Sequence, residues 1–120
     1  MSIIQIIESK ILDLSFNETP IIVISGPTGV GKSKLAISLA KKLNGVIINA
    51  DSMQIYKELK IISSQPSDRD KKIILHELYG IRSIHQKFSV MDWLELVEKK
   101  LDIIFNNNKI PIIVGGTGLY

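Results

Sequence analysis

The sequence contains no cysteine, which excludes disulfide bridges and thiolate-ligated metal sites outright. No apolar run approaches the roughly 18 residues that read as a membrane-spanning helix. The opening Met1-Ser2-Ile3-Ile4-Gln5-Ile6-Ile7-Glu8 lacks the basic region and the small-residue cleavage site of a secretory signal. These absences predict a cytoplasmic chain with no membrane partner, and they leave the sequon-like Asn17-Glu18-Thr19 as a chance match. Internal repeats, Gly/Ser linkers and low-complexity blocks are also missing, so nothing divides the 120 residues into more than one domain.

What is present is a core-forming composition, 45% hydrophobic and rich in isoleucine throughout. Fifteen Lys and Arg against twelve Asp and Glu give a net charge of +3 and a pI of about 9.2, compatible with a polyanionic partner such as RNA without establishing one. The charges are scattered apart from Arg69-Asp70-Lys71-Lys72 and Glu98-Lys99-Lys100, short mixed clusters that read as solvated surface.

The first segment carries Ile3, Ile4, Ile6, Ile7, Ile11, Leu12 and Leu14 before the break at Ser15 to Pro20, a stripe that predicts a helix covering one face of a sheet. The expected organisation is a helix and loop over residues 1–20, followed by an α/β core over 21–120. Within that core Ile21 to Ile24 reads as a buried strand, and Leu35, Ile37, Leu39, Ala40 and Leu43 recur as on an amphipathic helix stopped by Asn44-Gly45. Val46 to Ala50 reads as a second strand. Ser89 is an N-cap with Asp92 three residues on, heading a helix whose buried face would hold Trp93, Leu94, Val97, Leu101, Ile104 and Phe105. Asn106-Asn107-Asn108 would end it. Pro111 to Val114 then reads as a third strand with proline at its first position, where a missing N–H is tolerated. Residues 63–87, with Pro66, Gly80 and mixed polarity, carry no clear period.

Between the first strand and its helix lies Gly26-Pro27-Thr28-Gly29-Val30-Gly31-Lys32-Ser33, a complete G-x-x-x-x-G-K-S phosphate loop in the required strand–loop–helix setting. Glycine at 26, 29 and 31 lets the backbone close on a phosphate so that successive N–H groups form an anion nest. The helix N-terminus adds unpaired N–H groups and the positive end of its dipole. Lys32 would bring a point charge to the terminal phosphates, and the Ser33 hydroxyl would ligate Mg²⁺; Pro27 and Thr28 can be variable filler, and all eight positions from Gly26 to Ser33, Val30 included, are expected to line the phosphate.

Strands alternating with helices predict a three-layer parallel α/β sheet of the P-loop NTPase type, whose ligands gather beyond the strand C-termini. Gly26 to Ser33, Asp51 and Thr117 should then surround one crevice. Asp51 could bind Mg²⁺ through water or accept a proton from a nucleophile, or simply cap the next helix. Ser52 and Gln54 could be hydrogen-bonding groups or exposed surface, and Gly115-Gly116-Thr117-Gly118 could be a close-approach turn or a plain one. His76 and His85, nine positions apart without accompanying carboxylates, read as ordinary polar residues.

Three stretches taken together, Gly26 to Ser33, Asn49-Ala50-Asp51-Ser52-Met53-Gln54-Ile55-Tyr56-Lys57 and Pro111-Ile112-Ile113-Val114-Gly115-Gly116-Thr117-Gly118-Leu119-Tyr120, resemble the tRNA dimethylallyltransferases, or isopentenyltransferases. Leu78-Tyr79-Gly80-Ile81 and Ser89-Val90 agree with weaker features of that family. The resemblance implies that the loop holds dimethylallyl diphosphate with Mg²⁺ and that the five-carbon group goes to N6 of the adenosine next to the tRNA anticodon, a base that leaves its stack to react. By matching positions it implies Asp51 as general base, Thr117 and Lys32 on the diphosphate, Ser33 at the metal, and Asp51, Ser52, Met53 and Gln54 along the tRNA contact. Ile62-Ser63-Ser64-Gln65-Pro66 stands where the family usually has Gly-Thr-Ala-Lys-Pro, a departure at a potential phosphate or tRNA contact. The chain is also shorter than such enzymes. It is therefore expected to be their N-terminal part, with an incomplete sheet and a complementary C-terminal fragment elsewhere. The phosphate loop and Asp51 would serve a small P-loop kinase or ATPase equally well, and a non-catalytic remnant that retains phosphate binding is the third reading.

Overall fold

In the computed structural model, which describes residues 20–26, 31–59 and 65–115, the apolar run after Pro20 forms β1 (Ile22–Ser25). Its burial alternates, Ile22 and Ile24 inward and Val23 outward, as a strand covered on one face requires. Helix α1 (Lys32–Leu43) buries Ala36, Leu39 and Ala40, with Leu35, Ile37 and Leu43 packed at the margin of the same cluster. It ends where Asn44 takes a left-handed φ of 55° and donates its backbone N–H to Ala40 O, a conformation asparagine accepts more readily than most residues.

Gly45 then opens β2 (Gly45–Asn49), buried along its whole length. A Cβ at Gly45 would stand 2.8 Å from Ile112 Cδ1 and 3.0 Å from Ala40 Cα, so the missing side chain sets how closely α1 approaches the sheet. Helix α2 (Asp68–Ile73) starts from a capping box between Ser67 and Asp70, and β3 (His76–Glu77) follows. Helix α3 (Val90–Asn106) starts from the expected box, in which Ser89 Oγ accepts from Asp92 N and Asp92 Oδ2 accepts from Ser89 N. The last strand is β4 (Ile110–Gly115).

The sheet is parallel throughout, in the order β1-β4-β2-β3. Three strands were expected from the apolar runs; the fourth, β3, pairs its two residues with Ile47 and Ile48. Pro111 is also not the first residue of its strand. It is the second residue of a central one, opposite Val46. Ile110 N–H points to Asn44 O on the β2 side, so by alternation the position of Pro111 faces β1, whose pairing begins only at Ile22 opposite Ile112. The missing donor therefore costs no ladder bond.

Two apolar clusters make three layers. On one face α1 covers Ile22, Ile24, Ile47, Ile112 and Val114. On the other, Trp93, Val97 and Ile104 of α3 cover Val46 and Ile48, joined by Ile55 and Leu78. Leu94, expected on the buried face, is 40% exposed, because α3 turns only a narrow stripe toward the sheet. Lys100 of α3 pairs with Glu77 of β3 at 3.0 Å, an exposed-rim bridge worth about 1 kcal/mol or less. The predicted N-terminal helix lies outside the described residues. Among the described residues no helix is long and apolar enough to cross a membrane.

Candidate active site at the strand C-termini

The parallel order places the C-termini of β1, β4 and β2 side by side, where a βα sheet leaves room for a ligand. Gly26 follows β1, and the chain is next described at Gly31, left-handed with φ 81° and ψ 18°, a backbone state that favours glycine. Among the described residues no side chain caps α1 at this end, and its first turn holds no acidic residue. Its first N–H groups are thus available to an anion. At the opposite end Lys41 and Lys42 complement the dipole.

Lys32 reaches back across the cleft. Its Nζ donates to Gly26 O at 2.8 Å and to Gly115 O at 2.9 Å, two carbonyls that terminate adjacent strands and are aligned by the Ser25–Gly115 register. The ammonium is thereby fixed over the junction of β1 and β4. Ser33, one residue on, is exposed on the first turn of α1. Pro27, Thr28, Gly29 and Val30 lie outside the described residues, as does Thr117.

At the next strand end, Ala50 N donates to Val114 O at 2.8 Å, which carries the β2 backbone on beside β4 and delivers Asp51 to the same rim. Asp51 caps the short 3-10 turn Ser52–Ile55, its Oδ1 accepting from Met53 N at 2.9 Å. Both the capping reading and the strand-end placement therefore hold. Gln54 Nε2 is 3.5 Å from Oδ2, at the limit of a hydrogen bond, which leaves that oxygen the more open one. Ser52 and Met53 are exposed and Gln54 is half-buried. Among the described residues Asp51 and Lys32 make no direct contact; they stand at neighbouring strand ends.

Asn49 is the residue that sequence reasoning passed over, although a lone amide ending Val46-Ile47-Ile48 was a visible signal. It is fully buried. Its Nδ2 donates to Asp51 O and to Leu78 O, both at 3.0 Å, and its Oδ1 accepts from Asp51 N at 2.8 Å. Its carbonyl accepts from Trp93 Nε1 at 2.7 Å. One side chain thus grips both backbone groups of Asp51 and fixes them against α3 and the loop at Leu78. Leu78 itself is buried at a left-handed φ of 68°, strain that the surrounding bonds must hold. The following residues run beside the Asp51 turn: Gly80 N donates to Gln54 O and Arg82 N to Ile55 O.

That loop brings in Tyr79, whose ring meets His76 edge-on with centroids 5.8 Å apart. Burial pushes the Tyr79 phenol well above its ordinary pKa, and the Asp51 carboxylate adds to the effect. Burial also lowers the His76 pKa, against the opposing influence of its Nδ1 contact with Ile74 O at 2.8 Å. His85 is exposed.

A central parallel sheet, a glycine-to-lysine loop after β1 and a cleft at the strand C-termini define a P-loop-like α/β protein. The family model for IPP transferase matches residues 54–120. The tRNA dimethylallyltransferase of Pelagibacter ubique is 54% identical over 103 residues, 86% of this chain and 33% of that protein. The crystal structure of the full-length tRNA isopentenylpyrophosphate transferase from Bacillus halodurans superposes with a TM-score of 0.80 at 37% identity, over 86% of this chain and 34% of that one. A eukaryotic dimethylallyltransferase captured acting on tRNA gives 0.77 at 37% identity, over 82% and 24%. This chain belongs to the IPP transferase family, and it spans about a third of the length of curated relatives that it matches.

Proposed function

We propose that this chain holds dimethylallyl diphosphate and supplies the base in transfer of its dimethylallyl group to N6 of the adenosine beside a tRNA anticodon. The observation that carries the reading is the pairing of Lys32, fixed over the ends of β1 and β4, with Asp51 at the next strand end, in a chain of this family. The reading assigns the diphosphate to the loop from Gly26 to Ser33 and to Thr117, and the tRNA contact to Asp51, Ser52, Met53 and Gln54. The exposure of Ser52 and Met53 supports the latter. Such a chain works in the cytoplasm.

In the reaction the allylic C–O bond breaks and its electron pair leaves with the diphosphate. A bond forms from N6 to the same carbon, and the displaced N6 proton passes to Asp51. Met53 N–H holds Oδ1, so Oδ2 takes the proton. Lys32 and the uncapped N–H groups of α1 meet the charge on the departing oxygen, positioned beforehand and so without reorganisation. Ser33 and Asp51 offer oxygen donors only. Such hard oxygen donors suit Mg²⁺ bound chiefly by phosphates and water. When bound, Mg²⁺ would neutralise diphosphate charge.

The test has two stages: binding of dimethylallyl diphosphate against ATP, then transfer of labelled donor to unmodified tRNA, both with Mg²⁺. Lys32→Ala should weaken diphosphate binding by roughly 10- to 100-fold, the effect of a charged hydrogen bond, and Asp51→Ala should abolish transfer while binding persists. Transfer that survives either substitution refutes the assigned roles. Tight ATP binding with none of the prenyl diphosphate would return the chain to the kinase or ATPase class.

A further inference from the structure

Ser33 is not only a loop residue. It also rims a small cavity of about 10 Å³ on the α1 face of the sheet, floored by Ile47 and Val114 and closed by Pro66, Asp70, His76 and Tyr79. Ser33, at the phosphate loop, and Tyr79 therefore face one cavity. That ring is well fixed: it packs at the margin of the α1 cluster and edge-on to His76, which is itself tied to Ile74 O.

The hydroxyl is the exception. Among the described residues it makes no hydrogen bond, whereas buried tyrosine hydroxyls ordinarily find a partner. No fully buried side-chain nitrogen or oxygen among those residues is left unpaired, so this hydroxyl is not wholly enclosed. It also lies within the electrostatic reach of Asp51. Tyr79 thus shares a cavity with Ser33 and feels the charge of the proposed base.

Resting on the diphosphate reading above, we infer that Tyr79 is a further ligand-binding residue, its hydroxyl donating a hydrogen bond to an oxygen of the diphosphate held at Lys32 and Ser33. A phenol is protonated at neutral pH and donates without carrying charge. A lysine or arginine at the same place would pair with the Asp51 carboxylate and weaken it as a base. Tyrosine gives the anion a donor and leaves that carboxylate unpaired.

Calorimetric titration of the chain with inorganic diphosphate and Mg²⁺ tests this, comparing the unaltered protein, Tyr79→Phe and Lys32→Ala. Phenylalanine keeps the ring contact with His76 and removes one oxygen. Binding should weaken by roughly tenfold or more, the thermal midpoint should stay in place, and the tyrosine difference absorbance induced by diphosphate should shrink in Tyr79→Phe. Affinity within twofold of the unaltered protein, with binding still lost in Lys32→Ala, overturns the role of Tyr79 and leaves the diphosphate reading standing. Absence of binding by the unaltered protein overturns both.

Discussion

Replacing Asn49 by leucine removes three side-chain hydrogen bonds and, with the same number of side-chain heavy atoms, opens no cavity; the bulkier methyl groups add an overpacking cost in the same direction. Two of the bonds serve the backbone of Asp51, which is only half-buried; water can replace them, at about 0.5–1 kcal/mol each. The third serves Leu78 O in a buried segment at 3.0 Å, where an orphaned acceptor costs about 1–3 kcal/mol. Asn49→Leu should therefore lose about 3 kcal/mol, a large part of the stability of a typical domain. The assay is urea unfolding followed by tryptophan fluorescence. Trp93 is the sole tryptophan and its indole donates to Asn49 O, so the reporter sits on the perturbed residue. With a slope of about 2 kcal/mol per molar, the midpoint should fall by about 1.5 M at unchanged slope. Asn49→Asp, equal in shape, places a buried carboxylate against the Asp51 and Leu78 carbonyls; it should be worse than leucine at neutral pH and partly recover on acidification. A midpoint shift below about 0.3 M for Asn49→Leu would refute the claim that this amide holds the Asp51 turn.

Gly45→Ala puts a methyl against Ile112 Cδ1 and the Ala40 backbone and should destabilise by about 1–3 kcal/mol, read as a lower urea midpoint. Ser89→Ala removes the cap that accepts from Asp92 N and should cost about 1 kcal/mol, read as a lower urea midpoint. Burial holds His76 below its ordinary 6.5, so the unfolded chain binds its proton first. The stability contributed by His76 is complete above pH 6.5 and is lost as pH falls toward the lower folded value. His76→Gln should flatten the stability profile over that interval, measured as urea midpoints at stepped pH.

The parts legible in the sequence were those that carry their own local chemistry. Ser89 and Asp92 define a box within four residues, Asn44-Gly45 end a helix on backbone grounds, and Ile22, Ile47 and Ile112 lie in runs long enough to declare a strand. β3 has no such run. His76 and Glu77 become a strand only because Ile47 and Ile48 offer an open edge, a tertiary cause with no local trace. Pro111 misled for the same reason, since its tolerance depends on where a different strand begins. At the site, the rule that ligands collect at strand C-termini located Lys32 and Asp51 together. It could not show that Lys32 bridges two strand ends, or that Tyr79, from a segment without clear period, turns toward Ser33.

The strand order carries a consequence for how the chain is made. β4 is the last described strand in sequence and lies between β1 and β2, so those two earlier strands never touch each other through hydrogen bonds. On a ribosome, β1 must wait without a strand partner until residues 110–115 emerge, while α1, whose hydrogen bonds are all local, can already form. Vectorial synthesis therefore leaves a long interval in which Ile22 and Ile24 have no strand beside them, a window for chaperone binding that a sheet paired in chain order would not open.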